Sequence, residues 1–534
     1  MLLDCHTKNT LAAMLFFASF PAQSAPGPDA VRTESGLVSG AGTDVRVFKG
    51  IPYAAAPVGE LRWRAPQPPP HWDDIREAAE FGAPCPQPAV LKMLKQSEDC
   101  LTLNIWTPGK RSSKRLPVMV SIHGGGFIGG WSGMPIYDGA GFARQGIVFV
   151  SINYRLGVLG FLAHPDLSRE SPYGSSGNYG LLDQIAALQW VQRNIAAFGG
   201  DPRQVTIFGE SAGGSAVCLL LASPLAKGTF QRAIAESAQG LYLPIPHRDR
   251  SWFGNPPAER MGLRVAADAA TLRALSAEEL LKKLSSDPAM PRNAEFQPIV
   301  DGRVLPDDPA AIYNSARTPR VPVIAGTNSD DAFALILFTP VKTISDYRAF
   351  LKTRFGDAAG KAFDLYPASS DSEANKTARQ IFTDANFLYG TRSMLLALSR
   401  TNKAVHWYYF TRFDDLSRKL RAPGAIHGAE LRYVFGDLSR SMFAGTPFAL
   451  GEPTHDETDQ TVARAMNGAW VQFAKTGRPN GKGLPVWPAL TPGNLQYLEY
   501  GDDIHVGRGL RDQQMAFFEE YYGRLRSAKE KSSR

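Results

Sequence analysis

Residues 205–214 read Val-Thr-Ile-Phe-Gly-Glu-Ser-Ala-Gly-Gly. Inside this run, Gly209-Glu210-Ser211-Ala212-Gly213 is a G-x-S-x-G sequence between a strand-like stretch and a helical one. A serine in a sharp strand-to-helix turn lifts its hydroxyl above the carboxyl edge of a sheet, and flanking glycines avoid clashes across the turn. The helix that follows aims its first N–H groups at the same place, where they stabilise an oxyanion. Ser211 could also be an ordinary N-cap in a glycine-rich turn. A second pattern favours the chemical reading: Leu116–Ile122 runs straight into His123-Gly124-Gly125-Gly126-Phe127. Consecutive glycines let a backbone approach a reacting group closely. The N–H groups of Gly125, Gly126 and Ala212 are therefore the expected donors to a tetrahedral oxyanion. A phosphate-cradling loop would carry Gly-Lys-Ser/Thr, which the chain lacks.

A serine hydroxyl at neutral pH needs an adjacent base. With the nucleophile at such an elbow, the acid and then the histidine follow it in the chain. His123 precedes Ser211 and sits in the glycine loop, where holding the loop is the simpler role. Of the later histidines, His406 falls in a strand-like run, His455 in a polar loop and His505 after a strand candidate. His427 sits in the small-residue loop Pro423-Gly424-Ala425-Ile426-His427-Gly428, which suits presentation to a cleft. For the acid, Val321–Ala325 reads as a strand that ends in Gly326-Thr327-Asn328-Ser329-Asp330-Asp331. Position alone does not separate Asp330 from Asp331.

These groups need a scaffold that brings several strand ends to one edge. Leu116–Ile122, Ile147–Asn153, Val205–Phe208, Ala404–Phe410 and Leu495–Tyr500 read as strands, and Ile234 ends another candidate. From Gly180 to Phe198 the apolar residues recur at helical spacing and stop at Gly199-Gly200. The alternation predicts an α/β architecture, a mostly parallel sheet with helices on both faces. Strand signals vanish at about 241–294 and again at about 333–402, where helical excursions over the ligand-binding edge are expected. Phe333, Phe338 and Phe387 fall in or beside the second excursion, and core packing is the first expectation for them.

The chain has 534 residues, 44% hydrophobic and 20% charged, ordinary for a globular protein. Its net charge of +7 is spread along the sequence without a recognition motif, which argues against nucleic acid as a partner. Lys8 precedes the mostly apolar run Leu11–Phe20, with small residues at Ala22, Ser24 and Ala25. This suits a secretory signal cleaved near residues 24–25, with a disordered leader as the alternative. The expected organisation is a signal at 1–25 and one catalytic domain at 26–534, exported to the periplasm or beyond and not inserted in a membrane. Export means an oxidising compartment, so Cys85 and Cys100 are expected to pair. Cys5 would leave with the signal, and Cys218 lies in an apolar run as a buried thiol. The cysteine and histidine spacings fit no zinc pattern.

The chain resembles the type-B carboxylesterase/lipase family, which includes cholinesterases and bacterial p-nitrobenzyl esterases. The resemblance rests on Phe48–Ala54, Ser97–Asn104, the His123–Phe127 loop, Asn153–Gly157, Gly177-Asn178 through Asp201-Pro202, Phe208–Gly214, Phe296–Gly302 and His427–Gly436. It implies an α/β-hydrolase fold and a serine esterase acting on small-molecule esters without metal or organic cofactor. It places the nucleophile on Ser211, the base on His427 and the acid on Asp331, and it matches Cys85–Cys100 to the family's first disulfide. Two departures stand out. Asp330-Asp331-Ala332 replaces the usual Asp-Glu-Gly, so the acid is one methylene short. Residues 86–99 hold no aromatic side chain, which removes a cation–π platform for choline esters. Two other readings stay open: a non-catalytic binding or adhesion protein on the same scaffold, and a lipase for long-chain esters.

Overall fold

A computed structural model describes residues 30–88, 95–110, 112–243, 245–251, 255–333, 341–440 and 453–532. The expected signal segment, Cys5 and Phe338 lie outside them. Thirteen strands are described: β1 (Ala30–Thr33), β2 (Gly36–Ser39), β3 (Val45–Pro52), β4 (Arg76–Glu77), β5 (Thr102–Pro108), β6 (Leu116–Ile122), β7 (Val148–Ile152), β8 (Gly200–Glu210), β9 (Arg232–Glu236), β10 (Val323–Asn328), β11 (Val405–Phe410), β12 (Gln496–Tyr500) and β13 (Ile504–Arg508). Strands β1, β2 and β4 form a small separate sheet, and the other ten form one large sheet.

The order across the large sheet is β13-β12-β11-β10-β9-β8-β6-β7-β5-β3. From β7 to β12 all neighbours run parallel, and antiparallel pairs occur only toward the two edges. This is an α/β-hydrolase fold, and the reason lies in the strand sequences. Strand β7 is Val-Phe-Val-Ser-Ile and is buried throughout. Both of its faces are covered, as a parallel strand between helical layers requires.

The two faces build different cores. Val148, Val150 and Ile152 of β7 join Val118, Val120 and Ile122 of β6 and Trp190 of the helix Tyr179–Asn194. Phe149 points the other way, into an aromatic cluster with Phe142 (ring centroids 5.5 Å), Phe208 (6.0 Å) and Phe435 (5.7 Å). Burying one such ring contributes on the order of 2–3 kcal/mol. Helix Tyr179–Asn194 tightens into a short 3-10 turn, Ile195–Phe198, and Gly199 closes it in the left-handed region at φ 88°. Beneath its first turn, the buried Arg155 guanidinium grips both oxygens of Asp183 at 2.8 and 2.7 Å.

Strand β6 comes before β7 in the chain but lies between β7 and β8 in the sheet. Its last residue, Ile122, pairs with Gly209 of β8. The two glycine-bearing loops therefore leave the same carboxyl edge from adjacent strands, where α/β sheets place their ligands. Between β9 and β10 lie the helices Ala258–Val265, Ala269–Ala274, Ala277–Ser286 and Pro309–Asn314. Between β10 and β11 lie Ile344–Phe355, Ala359–Leu365, Asp371–Thr383 and Tyr389–Ser399. Cys85 and Cys100 are bonded, with Cα atoms 5.1 Å apart, and Cys218 is a buried free thiol. Among the described residues, no helix is long and apolar enough to cross a membrane and no cluster of metal-ligating side chains occurs.

Candidate active site

Ser211 stands between the end of β8 and the helix Ala212–Ala222, with φ 58° and ψ −122°. Few non-glycine residues adopt such a conformation, and holding one there costs about 1–3 kcal/mol. Its surroundings enforce it. The Ser211 N–H donates to Glu236 O at 2.9 Å, and the Ser215 N–H donates to Ser211 O at 2.8 Å. Gly213 presses so closely on β6 that a Cβ there would lie 2.0 Å from Ile122 O. The elbow thus packs its backbone against the neighbouring strand's end, and a larger residue at 213 would push it away.

Asp331 follows the end of β10 by three residues. Asp331 is fully buried, and its Oδ1 lies 2.9 Å from His427 Nδ1. Its Oδ2 accepts from the Ser237 hydroxyl at 3.0 Å and from the Asn328 N–H at 2.8 Å. Asp331 reaches the imidazole because the two loops are zipped together. The Asp330 N–H donates to Ala425 O at 2.9 Å, the Ala425 N–H to Ser329 Oγ at 2.9 Å, and Asn328 Nδ2 to Ile426 O at 2.8 Å. Asp330 does not contact the histidine. Burial pushes its carboxyl up to about 7, against the opposing pull of Arg379.

The His427 Nε2 atom lies 3.2 Å from Glu210 Oε1. Burial alone would lower the His427 pKa, but the Glu210 carboxylate and the Asp331 hydrogen bond together raise it. Glu210 is itself pushed up by burial, with His427 pulling it down. The nearby Glu210 carboxylate thus favours the imidazolium over the neutral imidazole. Phe387 packs against the His427 ring at 5.2 Å between centroids. No hydrogen bond between Ser211 Oγ and His427 occurs among the described contacts, and such bonds commonly tighten only around substrate.

Behind these groups sit two further buried acids. Glu236 Oε1 accepts from Trp470 Nε1 at 2.7 Å, and burial raises its pKa to about 8. Glu430 accepts from Asn328 Nδ2 and is likewise raised by burial. Burial thus disfavours the charged form of both carboxyl groups.

The glycine loop lies opposite. His123 is buried, its pKa lowered by that burial to about 4, and its neutral Nδ1–H donates to Gly124 O at 2.8 Å. It stacks on Tyr154 at 4.4 Å. His406 is buried in β11, while His455 and His505 are exposed. Gly125 has φ +110°, and a Cβ on it would lie 2.2 Å from Gly129 O. No described hydrogen bond uses the N–H of Gly125 or Gly126. Ala212 is the first residue of its helix, so its N–H has no intrahelical acceptor.

The loop and elbow border a cavity of about 410 Å³ that includes Gly126, Phe127, Ala212, Leu219, Gln239 and Gln297 in its lining. None of the described lining residues is charged. Phe333 and Phe387 are buried and do not line it. Sequence patterns missed three partners of the site: Glu210 as the neighbour of Nε2, Ser237 as a donor to the acid, and Gln297 beneath the glycine loop. Ser237 lies one residue past the carboxyl end of β9, which the structure extends to Glu236, two residues beyond the end read from the sequence. Gln297 lies inside Phe296–Gly302, a segment marked only by resemblance.

Fold and elbow together define an α/β hydrolase. The chain belongs to the carboxylesterase family, whose model matches residues 28–518, and with that to the carboxylic ester hydrolases. It is 40% identical over 497 residues to the fumonisin B1 esterase of Sphingopyxis macrogoltabida, covering 90% of this chain and 88% of the other. To the para-nitrobenzyl esterase of Bacillus subtilis (strain 168) it is 38% identical, covering 89% and 95%. A solved structure of PNB esterase superposes with a TM-score of 0.76 at 33% identity, over 91% of this chain and 99% of that one.

Proposed function

We propose that the protein is an exported serine carboxylesterase that works through an acyl-enzyme. Ser211 Oγ attacks the ester carbonyl carbon while His427 Nε2 takes its proton. The N–H groups of Gly125, Gly126 and Ala212 hold the oxyanion. The imidazolium then gives its proton to the leaving alcohol. Water, activated by the same His427, attacks the acyl-enzyme and releases the acid. Asp331 holds the imidazole tautomer with Nδ1–H and balances the charge of the imidazolium.

The observation that carries this reading is the 2.9 Å contact of Asp331 with His427 Nδ1, on the edge where Ser211 stands at the elbow. The uncharged cavity beside Ser211 supports esters with neutral acyl groups. The Cys85–Cys100 bond supports export into an oxidising compartment.

The test is hydrolysis of p-nitrophenyl esters from acetate to palmitate by the wild type and by Ser211→Ala. Activity lost by about 10⁴-fold or more in the variant is the expected outcome. A variant that keeps its activity overturns the assignment. A fluorophosphonate that labels wild type at Ser211 distinguishes an enzyme from a silent scaffold. An optimum at palmitate would favour the long-chain lipase.

A further inference from the structure

The glycine loop belongs to no helix or strand, yet it must keep N–H groups fixed for a reaction sensitive to a few tenths of an ångström. A peptide between two glycines rotates easily, because no Cβ obstructs it. A flip of the Gly125–Gly126 peptide would turn the Gly126 N–H away from the reacting oxygen and present a carbonyl instead. On that peptide Gly125 O is held by the Ile128 and Gly129 N–H groups, and Gln297 holds Gly126 O on the peptide that follows, which fixes Gly126 from its other side.

Each carbonyl from Gly124 to Phe127 is engaged. Gly124 O accepts from His123 Nδ1 at 2.8 Å. Gly125 O accepts from the N–H groups of Ile128 and Gly129, and Phe127 O from that of Gly157 at 2.7 Å. Gly126 O accepts from Gln297 Nε2 at 2.9 Å, and the same amide donates to Ala294 O at 3.0 Å. At the far end of the loop, the buried Gln87 amide pairs with both backbone groups of Gly130. Its Oε1 accepts from the Gly130 N–H at 2.9 Å, and its Nε2 donates to Gly130 O and to Cys85 O, both at 3.0 Å. Two of these ties come from side chains outside the loop, and neither side chain contributes a reacting atom.

We propose that Gln297 and Gln87 are positioning residues for ester hydrolysis, clamping the two ends of the segment 126–130 so that the Gly126 N–H stays directed at the reacting carbonyl oxygen. The proposal rests on reading Gly125 and Gly126 as oxyanion donors. Gln297 lies on the segment that walls the cavity, and Gln87 lies in the disulfide-closed loop. The donor geometry is therefore set from two parts of the chain remote in sequence.

The deciding variants are Gln297→Ala and Gln297→Glu, the second replacing a donor by an acceptor of equal length. Gln297 is only half-buried, so both variants should fold, and a thermal melt checks this. Each is measured on p-nitrophenyl butyrate and against a trifluoromethyl ketone that mimics the tetrahedral intermediate, with Ser211→Ala alongside. We expect kcat to fall about tenfold or more, with KM within about threefold and ketone affinity falling in step, because the lost interaction matters only when the oxyanion forms. Gln87→Ala should move in the same direction. An unchanged kcat in the Gln297 variants overturns the proposal, as does a fall in kcat with ketone affinity intact. Wild-type rates in Ser211→Ala would instead sink the underlying triad reading, whatever the glutamine variants do.

Discussion

Asp331 is a methylene shorter than glutamate and still meets His427, because the two loops that carry them are zipped together. The parallel bridge between Asp330 and Ile426 brings the two loops together one residue away from Asp331 and His427. Asp331→Asn keeps the shape but offers Nδ1 an amide in place of a carboxylate. Its kcat should fall by about 10³–10⁴-fold with little change in melting temperature; a loss below tenfold would remove Asp331 from the triad. Glu210 leads to a pH prediction. Its carboxylate raises the His427 pKa, and the base works only when deprotonated. Glu210→Gln removes that support, so the imidazole deprotonates at lower pH and the acidic limb of the kcat–pH profile moves down. A limb that stays in place would mean that Glu210 does not face the base in the working enzyme. At this scale the sequence was legible where chemistry is written locally. Ser211 sits in its own turn motif, the glycines are contiguous, and His427 stands among small residues. Asp331 and Asp330 are neighbours that position in the sequence does not separate; resemblance points to Asp331, which is the one that faces the imidazole in the folded chain. Glu210, Ser237 and Gln297 matter through partners distant in the chain, and the motifs that hold Glu210 and Gln297 do not say what their side chains touch.

Among the elements, the buried strands could be read directly, since a parallel strand covered on both faces is a run of apolar residues. The predicted β6 coincides with Leu116–Ile122, and β7 differs by one residue at each end. Strand β8 begins at Gly200, earlier than its apolar stretch: Gly200 pairs with Leu116 at the sheet's amino end, and a register shift separates it from Val205, which resumes pairing opposite Val118. The sequence also could not show β6 seated between β7 and β8, although that order sets the two catalytic loops side by side. The loop closed by Cys85 and Cys100 belongs to this scale. Cutting it with a Cys85→Ser, Cys100→Ser double substitution should cost about 3 kcal/mol in urea unfolding. Through Gln87, the same change should also lower kcat. Loss of stability at full kcat would separate the staple from the glycine loop.

At the scale of the whole molecule, substrate choice should follow from charge. The cavity beside Ser211 offers amides and apolar side chains but no described charged group. An acyl chain ending in a carboxylate would be desolvated there without a partner. Hydrolysis of p-nitrophenyl butyrate should therefore exceed that of a p-nitrophenyl hemisuccinate by at least about tenfold in kcat/KM. Equal rates would place the acyl group elsewhere. Gln297 gives this arrangement a practical corollary. The cavity wall around 294–298 is an obvious segment to exchange between relatives when a new substrate is wanted, yet it is also wired to Gly126 O. A graft that keeps a glutamine at 297 transfers specificity alone, whereas one that drops it changes the catalytic engine together with the lock.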